Sequence, residues 1–353
     1  MKSRRPVAQS DVAQAITPPQ PSLVGPSAPG VTMNPGFAAS IQNEITPLLT
    51  AAVAGELSKR GFATIAIDFP YHGERIACID SSLVAVPNFF PEILRPVVGF
   101  EDDLIWFKPC ESGDEATCSP TGECLDEDGN VEDFASFPIM DMQPASGAAF
   151  LDTHDLPHIP DHFHQSLVDL SVVKHSLQTA DWEDALGQRI QTDRFHFAGQ
   201  SLGAIIGSVW VGVTPEVDRA VLNVPGSNMV DLFRDSTYFA PQIDQYFEDL
   251  EIEEGSWEQE RLLNVASWLV DSVDPHTVGH LYAEQDRSAI IQIAKVNDDY
   301  GDIIIPNYTT ESLQRVSQRD IIEYNTVLHA DLIIPGLGIN MLEDMSDYLA
   351  GEL

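Results

Sequence analysis

A chain of 353 residues with 55 acidic and 18 basic side chains carries a formal charge of −37. Nucleic acids and anionic membrane surfaces are held by clustered Lys and Arg, so this charge balance sets both aside as partners. With 43% apolar residues there is material for a large core, yet no run of about 18 apolar residues occurs, so no membrane-spanning helix is expected.

Met1 to Pro35 holds seven prolines and little periodic hydrophobicity. Residues 1–30 are therefore expected to be irregular, with Val31 to Met33 a short remnant strand. A helix is predicted over Ile45 to Arg60 and a buried strand over Thr64 to Ile67. From Ala77 to about Pro160 the pattern breaks. This insertion mixes an apolar patch, Val84 to Phe90, with an acidic piece, Cys110 to Asp133. Its loop gains most from crosslinking, and Cys118 with Cys124 plus Cys78 with Cys110 is the expected pairing among the three that four cysteines allow. Zinc is the rival, but no C-x-x-C spacing is present.

Two stretches carry metal-like patterns, and neither has the spacing of a complete site. His154, Asp155, His158, Asp161, His162 and His164 crowd together, but Pro157 and Pro160 are expected to prevent their helical i, i+4 presentation. Asp126 to Asn130 carries only part of a calcium-loop spacing.

Further on, Phe195 to Ala198, Ala220 to Val224 and Ala289 to Ile293 read as buried parallel strands. Residues from about 229 to 285 contain amphipathic helical stretches and form a second insertion, a candidate cap. Near the end, Ile339, Leu342, Met345 and Leu349 share one helical face. Alternation of strands and helices predicts an α/β fold with a mostly parallel, doubly wound sheet. One domain, 31–353, is expected to carry both insertions.

Gly199-Gln200-Ser201-Leu202-Gly203 stands between the Phe195 strand and the apolar run Leu202 to Val213. A serine on a strand-to-helix turn needs small neighbours two residues either side, because larger side chains would collide where the backbone bends. The stretch therefore reads as a nucleophile elbow with Ser201 as nucleophile. The Leu202 amide, at the helix N-terminus, would donate to an oxyanion.

Downstream, the loop after the Ala289 strand offers Asp298, Asp299 and Asp302 as the acid. Asp302 is favoured, since Gly301-Asp302-Ile-Ile-Ile305-Pro306 resembles the G-D-x-x-[IV]-P spacing that holds the acid in many α/β-hydrolases; Asp298 and Asp299 remain alternatives. His329 is the expected base, because serine, then acid, then histidine is the order that such an elbow predicts. His276 and His280 precede the acid and are weaker candidates.

Beyond these motifs, Arg60 to Arg75 with its Tyr71-His72-Gly73 turn resembles the strand and turn of bacterial α/β-hydrolases. Ser146 to Phe150, Asp161 to Gln165, Val168 to Leu170 and Val221 to Gly226 resemble bacterial extracellular lipases and esterases, so the likeness spans about Thr46 to Leu353. It implies the α/β-hydrolase fold and a carboxylic-ester hydrolase acting on small-molecule or lipid esters, with no cofactor or metal. A His-Gly loop that would give the second oxyanion amide is missing. Asn34-Pro35-Gly36-Phe37 is the nearest equivalent, which makes the Phe37 amide the expected donor in an atypical, shortened N-terminal region.

Two other readings stay open: hydrolysis of an amide or thioester by the same residues, and a hydrolase-derived binding protein of weak activity. The acidic surface and the cysteines suggest an extracellular or periplasmic setting, although Met1 to Arg5 is followed by no apolar signal-like stretch.

Overall fold

The computed structural model describes residues 31–33, 53–67, 69–70, 117–118, 124–125, 148–151, 157–180, 190–296, 301–329, 331–333 and 339–353. Its centre is a six-stranded parallel sheet. The strands are β1 (Val31–Met33), β2 (Ala63–Ile65), β5 (Phe195–Gln200), β6 (Arg219–Asn223), β7 (Ala289–Lys295) and β8 (Asp320–Asn325). Their spatial order is β2-β1-β5-β6-β7-β8, with every neighbouring pair parallel. From β1 the chain steps outward to β2, whereas from β5 it steps the other way. The order thus reverses between β1 and β5, and such a switch point opens a crevice at the carboxyl ends of the strands.

Two short strands, β3 (Thr117–Cys118) and β4 (Cys124–Leu125), form a separate antiparallel pair in which Cys118 is the register partner of Cys124. Cys78 and Cys110 lie outside the described residues.

Side chains on the central strands alternate between two apolar layers, as the two-residue period of a strand requires. Phe195 and Phe197 of β5, Leu222 of β6 and Ile291 of β7 face one layer. That layer is covered by helices α2 (Ile159–Thr179) and α3 (Leu202–Val213), which supply Phe163, Leu170, Ile206 and Trp210. Ala198, Val221, Ile290 and Tyr324 face the other. There they meet Val53 and Leu57 of helix α1 (residues 53–59) and Met341, Met345 and Leu349 of helix α8 (Ile339–Ala350).

Helix α3 is apolar all round, the composition of a helix enclosed on every side, and eleven of its twelve residues are buried. Its Gly207 lets it lie against β5, since a Cβ there would run into the Phe197 ring. Across the opposite layer, Arg60 donates from Nε to Ser346 Oγ at 2.8 Å and pairs with Asp347 and Glu352. This ion cluster fastens the turn after α1 to the last helix.

Between β6 and β7 run α4 (Met229–Asp235), α5 (Ala240–Asp249), α6 (Trp257–Val270) and two one-turn helices, Pro275–Val278 and His280–Glu284. Helix α7 (Asn307–Ser317) then leads into β8. No helix among the described residues is long and apolar enough to cross a membrane.

Three points of comparison with the sequence reading have physical content. Strand β8 has no counterpart in that reading. It is an edge strand with only Tyr324 buried, and its Asp-Ile-Ile-Glu-Tyr-Asn pattern carries no continuous apolar run. Of the face expected on the closing helix, Met345 and Leu349 are buried and Leu342 is half-buried beside them, and Met341, one turn before Met345, joins the buried set. Of the predicted helix Ile45 to Arg60, residues 53–59 are helical and Arg60 is in the following turn, while residues 45–52 lie outside the described residues. Finally, Pro160 does not exclude helix: it sits in the first turn of α2, where a missing N–H costs nothing.

Candidate active site

Ser201 lies between the last residue of β5 and the first of α3, in a backbone conformation of φ 52°, ψ −124°. This is a left-handed region that a serine occupies only when its surroundings impose it. They do so here. The Ser201 amide donates to the Asn223 carbonyl at 2.9 Å, and the Ser201 carbonyl accepts from the Ala204 and Ile205 amides at 2.8 and 2.9 Å. Gly199 gives the room: a Cβ at that position would lie 2.5 Å from the Gly203 carbonyl oxygen. Strand and helix can approach this closely only with glycine on the strand side.

The hydroxyl of Ser201 is 2.7 Å from His329 Nε2, and His329 Nδ1 is 2.6 Å from Asp302 Oδ2. All three residues are buried. A carboxylate can only accept, so Nδ1–H donates to Asp302 and Nε2 is left to accept from the serine. The structure thus brings together three residues separated by 101 and 27 positions along the chain (302 − 201 and 329 − 302).

Asp302 is held from several sides. Its Oδ1 accepts from the Ile304 and Ile305 amides at 2.8 and 3.2 Å, leaving Oδ2 for the imidazole. Its own amide donates to Asn307 Oδ1 at 2.9 Å, and Asn307 Nδ2 donates to the Ala294 carbonyl at 3.1 Å. The acid loop is therefore pinned to the end of β7 through this carboxamide, beside the antiparallel bridge between Lys295 and Gly301. Gly301 accommodates this, since a Cβ there would come within 2.8 Å of that carboxamide. Asp298 and Asp299 lie outside the described residues.

On the His329 side, the Leu328 amide donates to Asp331 Oδ2 at 2.8 Å while the Asp331 amide donates to the Leu328 carbonyl at 3.1 Å. Burial pushes the Asp331 carboxyl above the usual carboxylate range, the bond from Leu328 opposing it. Sequence reasoning missed the parts played by Asn307 and Asp331. Asn307, five residues after the acid, looks like an ordinary helix-starting residue, and Asp331 like a loop acid.

The remaining sequence candidates fall as follows. Leu202 begins α3, with its amide in the first turn beside Ser201 and its side chain buried, which suits an oxyanion donor. Gln200 is buried at the end of β5. Phe37 lies outside the described residues. His276 bonds Ser312 Oγ at 3.1 Å, and His280 Nδ1 donates to the Thr277 carbonyl at 2.9 Å, so both are engaged elsewhere. His162 Nδ1 donates to the Phe150 carbonyl at 2.9 Å, whereas His164 Nε2 is 3.2 Å from Ser272 Oγ. Among the described residues no group of three or more His, Cys, Asp or Glu could hold a metal.

A parallel sheet with helices on both faces, an elbow serine at the switch point, and acid and histidine following in that order define the α/β-hydrolase fold. No protein-family model matches the chain, and no curated protein matches it. Among solved structures it is similar to Est1E from Butyrivibrio proteoclasticus with ferulic acid bound, at 11% identity over 92% of this chain and 90% of that one, TM-score 0.46. It is also similar to acetyl xylan esterase from a Paenibacillus species, at 13% identity over 94% of this chain and 77% of that one, TM-score 0.47. For acetyl xylan esterase 1 from a Thermoanaerobacterium species the identity is 13% over 92% and 76% of the two chains, TM-score 0.44.

Proposed function

We propose that the protein is a serine hydrolase that cleaves carboxylic esters through an acyl-enzyme. The observation that carries this reading is the continuous relay Asp302–His329–Ser201, with contacts of 2.6 and 2.7 Å, ending on a serine held at positive φ. In the first step Ser201 Oγ attacks the ester carbonyl carbon while His329 Nε2 takes its proton. His329 then returns that proton to the departing alkoxide, and Asp302 keeps the imidazole in the required tautomer and balances its charge. The oxyanion would be met by the Leu202 amide and the N-terminal end of α3, whose partial positive charge grows in value as negative charge develops. Water, deprotonated by His329, then releases the acyl group from Ser201.

A panel of chromogenic esters of increasing acyl length, run beside matched amides and thioesters, tests the bond class. The reading expects ester turnover that Ser201→Ala abolishes. Amide or thioester turnover exceeding that of every ester would transfer the proposal to the other acyl bond. Binding of such esters with no turnover by the wild-type chain would leave only a hydrolase-derived binding protein.

A further inference from the structure

Resting on the reading of Ser201, His329 and Asp302 as the reacting residues, we propose that Gln200 is the positioning residue of the base. Asp302 sets the rotation of the imidazole but does not fix the backbone that carries it. The Gln200 side chain reaches that backbone: its Nε2 donates to the His329 carbonyl oxygen at 3.0 Å, across 129 positions of sequence. Gln200 is also the residue bonded to Ser201. One covalent step and one hydrogen bond therefore join the nucleophile to the peptide of its base, and the distance from Oγ to Nε2 inherits this constraint.

The surroundings show why a carboxamide stands there. Gln200, Asn223 and Gln292 are register partners across β5, β6 and β7, on the same face as the apolar Ala198, Val221 and Ile290 two positions earlier. Gln292 has its own fixed duties: Nε2 donates to the Met341 carbonyl at 2.8 Å and to Tyr324 Oη at 3.0 Å, and Oε1 accepts from Asn223 Nδ2 at 3.0 Å. No such relay reaches Gln200. Its Oε1 and Asn223 Oδ1 are buried acceptors with no donor among the described residues. An unsatisfied buried acceptor is unfavourable, and an apolar residue would remove it without loss to the core. What the carboxamide alone supplies is the donor to His329.

Three variants separate this role from simple packing. Gln200→Leu keeps the bulk and removes the donor. Gln200→Glu keeps the shape, but its carboxyl can donate to the His329 carbonyl only while protonated. Gln200→Met is a second apolar replacement of similar length, used if Gln200→Leu does not fold. The measurement is the second-order rate of labelling at Ser201 by a fluorophosphonate, followed from about pH 5 to pH 9 below the melting temperature of each variant. Rates for a chromogenic ester are taken in parallel.

The expected result is that wild type labels at Ser201 while the apolar variants label on the order of 10- to 100-fold more slowly, the scale of a misplacement of about an ångström. The loss should appear in kcat with KM little changed. For Gln200→Glu, the rate relative to wild type should rise as pH falls, because the donor returns on protonation. Apolar variants that label at the wild-type rate, or a Gln200→Glu ratio flat across pH, would overturn the assignment while leaving Ser201 as nucleophile. Absence of Ser201 labelling in wild type would instead overturn the underlying reading and, with it, this role.

Discussion

His196 gives the sharpest test of how the sheet is held. It occupies the second position of β5 and is buried, with its ring edge-on to Phe62 at a centroid distance of 5.4 Å. Its Nδ1 has no partner among the described residues. Burial pulls its pKa from 6.5 down to about 4, and the attraction of Asp218 only partly opposes this. An unfolded chain takes up the proton near pH 6.5 and the folded chain does not, so stability is fully present above that value and falls as pH drops toward 4. At pH 5 the two states differ by about 1.5 protonation units in log K, or about 2 kcal/mol, and the limiting loss is about 3 kcal/mol.

The perturbation is His196→Leu, which removes the titration and keeps an apolar contact with Phe62. Urea unfolding of both proteins at about pH 7, 6 and 5 gives the difference in stability, in which carboxylates common to both cancel. The wild type should lose about 2 kcal/mol relative to the variant between pH 7 and pH 5. Parallel stability curves would refute the reasoning, as would an NMR titration of His196 in the folded protein with its midpoint near the ordinary value.

Other predictions address the site. Asp302→Asn should lower kcat for an ester by about 10³- to 10⁴-fold, since a carboxamide no longer enforces the required imidazole tautomer; a loss under tenfold would contradict the acid's part. Its urea midpoint should move little, because an amide oxygen can still accept from Ile304 and Ile305. Gly199→Ala should abolish ester turnover and destabilise the protein by about 1–3 kcal/mol, given the 2.5 Å approach to the Gly203 oxygen; an active, equally stable protein would show that the elbow tolerates a side chain. Asp331→Asn tests a raised carboxyl pKa. Stability from such a group is present below its unfolded value and lost as pH rises through the folded one. The variant should therefore gain stability over wild type at neutral pH and lose that advantage below about pH 4, as read by thermal melting.

Legibility in the sequence followed the range of the forces involved. The elbow was readable because its demands are local: small residues at 199 and 203, a strand before and a helix after. Ala289 to Ile293 and Phe195 to Ala198 are readable because a parallel strand buried on both faces is dominated by apolar residues, with His196 and Gln292 as single polar interruptions, and the structure extends these to Lys295 and Gln200. Strand β8 is not, since Asp-Ile-Ile-Glu-Tyr-Asn is neither dominated by apolar residues nor strictly alternating, the two patterns that mark a strand. The three residues of β1 form a strand only because β2 and β5 flank them. Asn307 and Asp331 were invisible for a different reason. Their side chains act on backbone groups whose position depends on the assembled sheet, and no local pattern encodes that. Helix α2 shows the reverse case: a proline breaks a helix only in its interior, and Pro160 stands in the first turn.

The central claim is that Ser201 becomes acylated. Mixing the protein with excess chromogenic ester, quenching in acid within the first turnovers and mapping the peptides by mass measures it directly. The account predicts the acyl mass on the peptide containing Ser201, in an amount matching the initial burst of released alcohol, and neither burst nor adduct in Ser201→Ala. An adduct on another residue, or ester turnover that persists in Ser201→Ala, would contradict it.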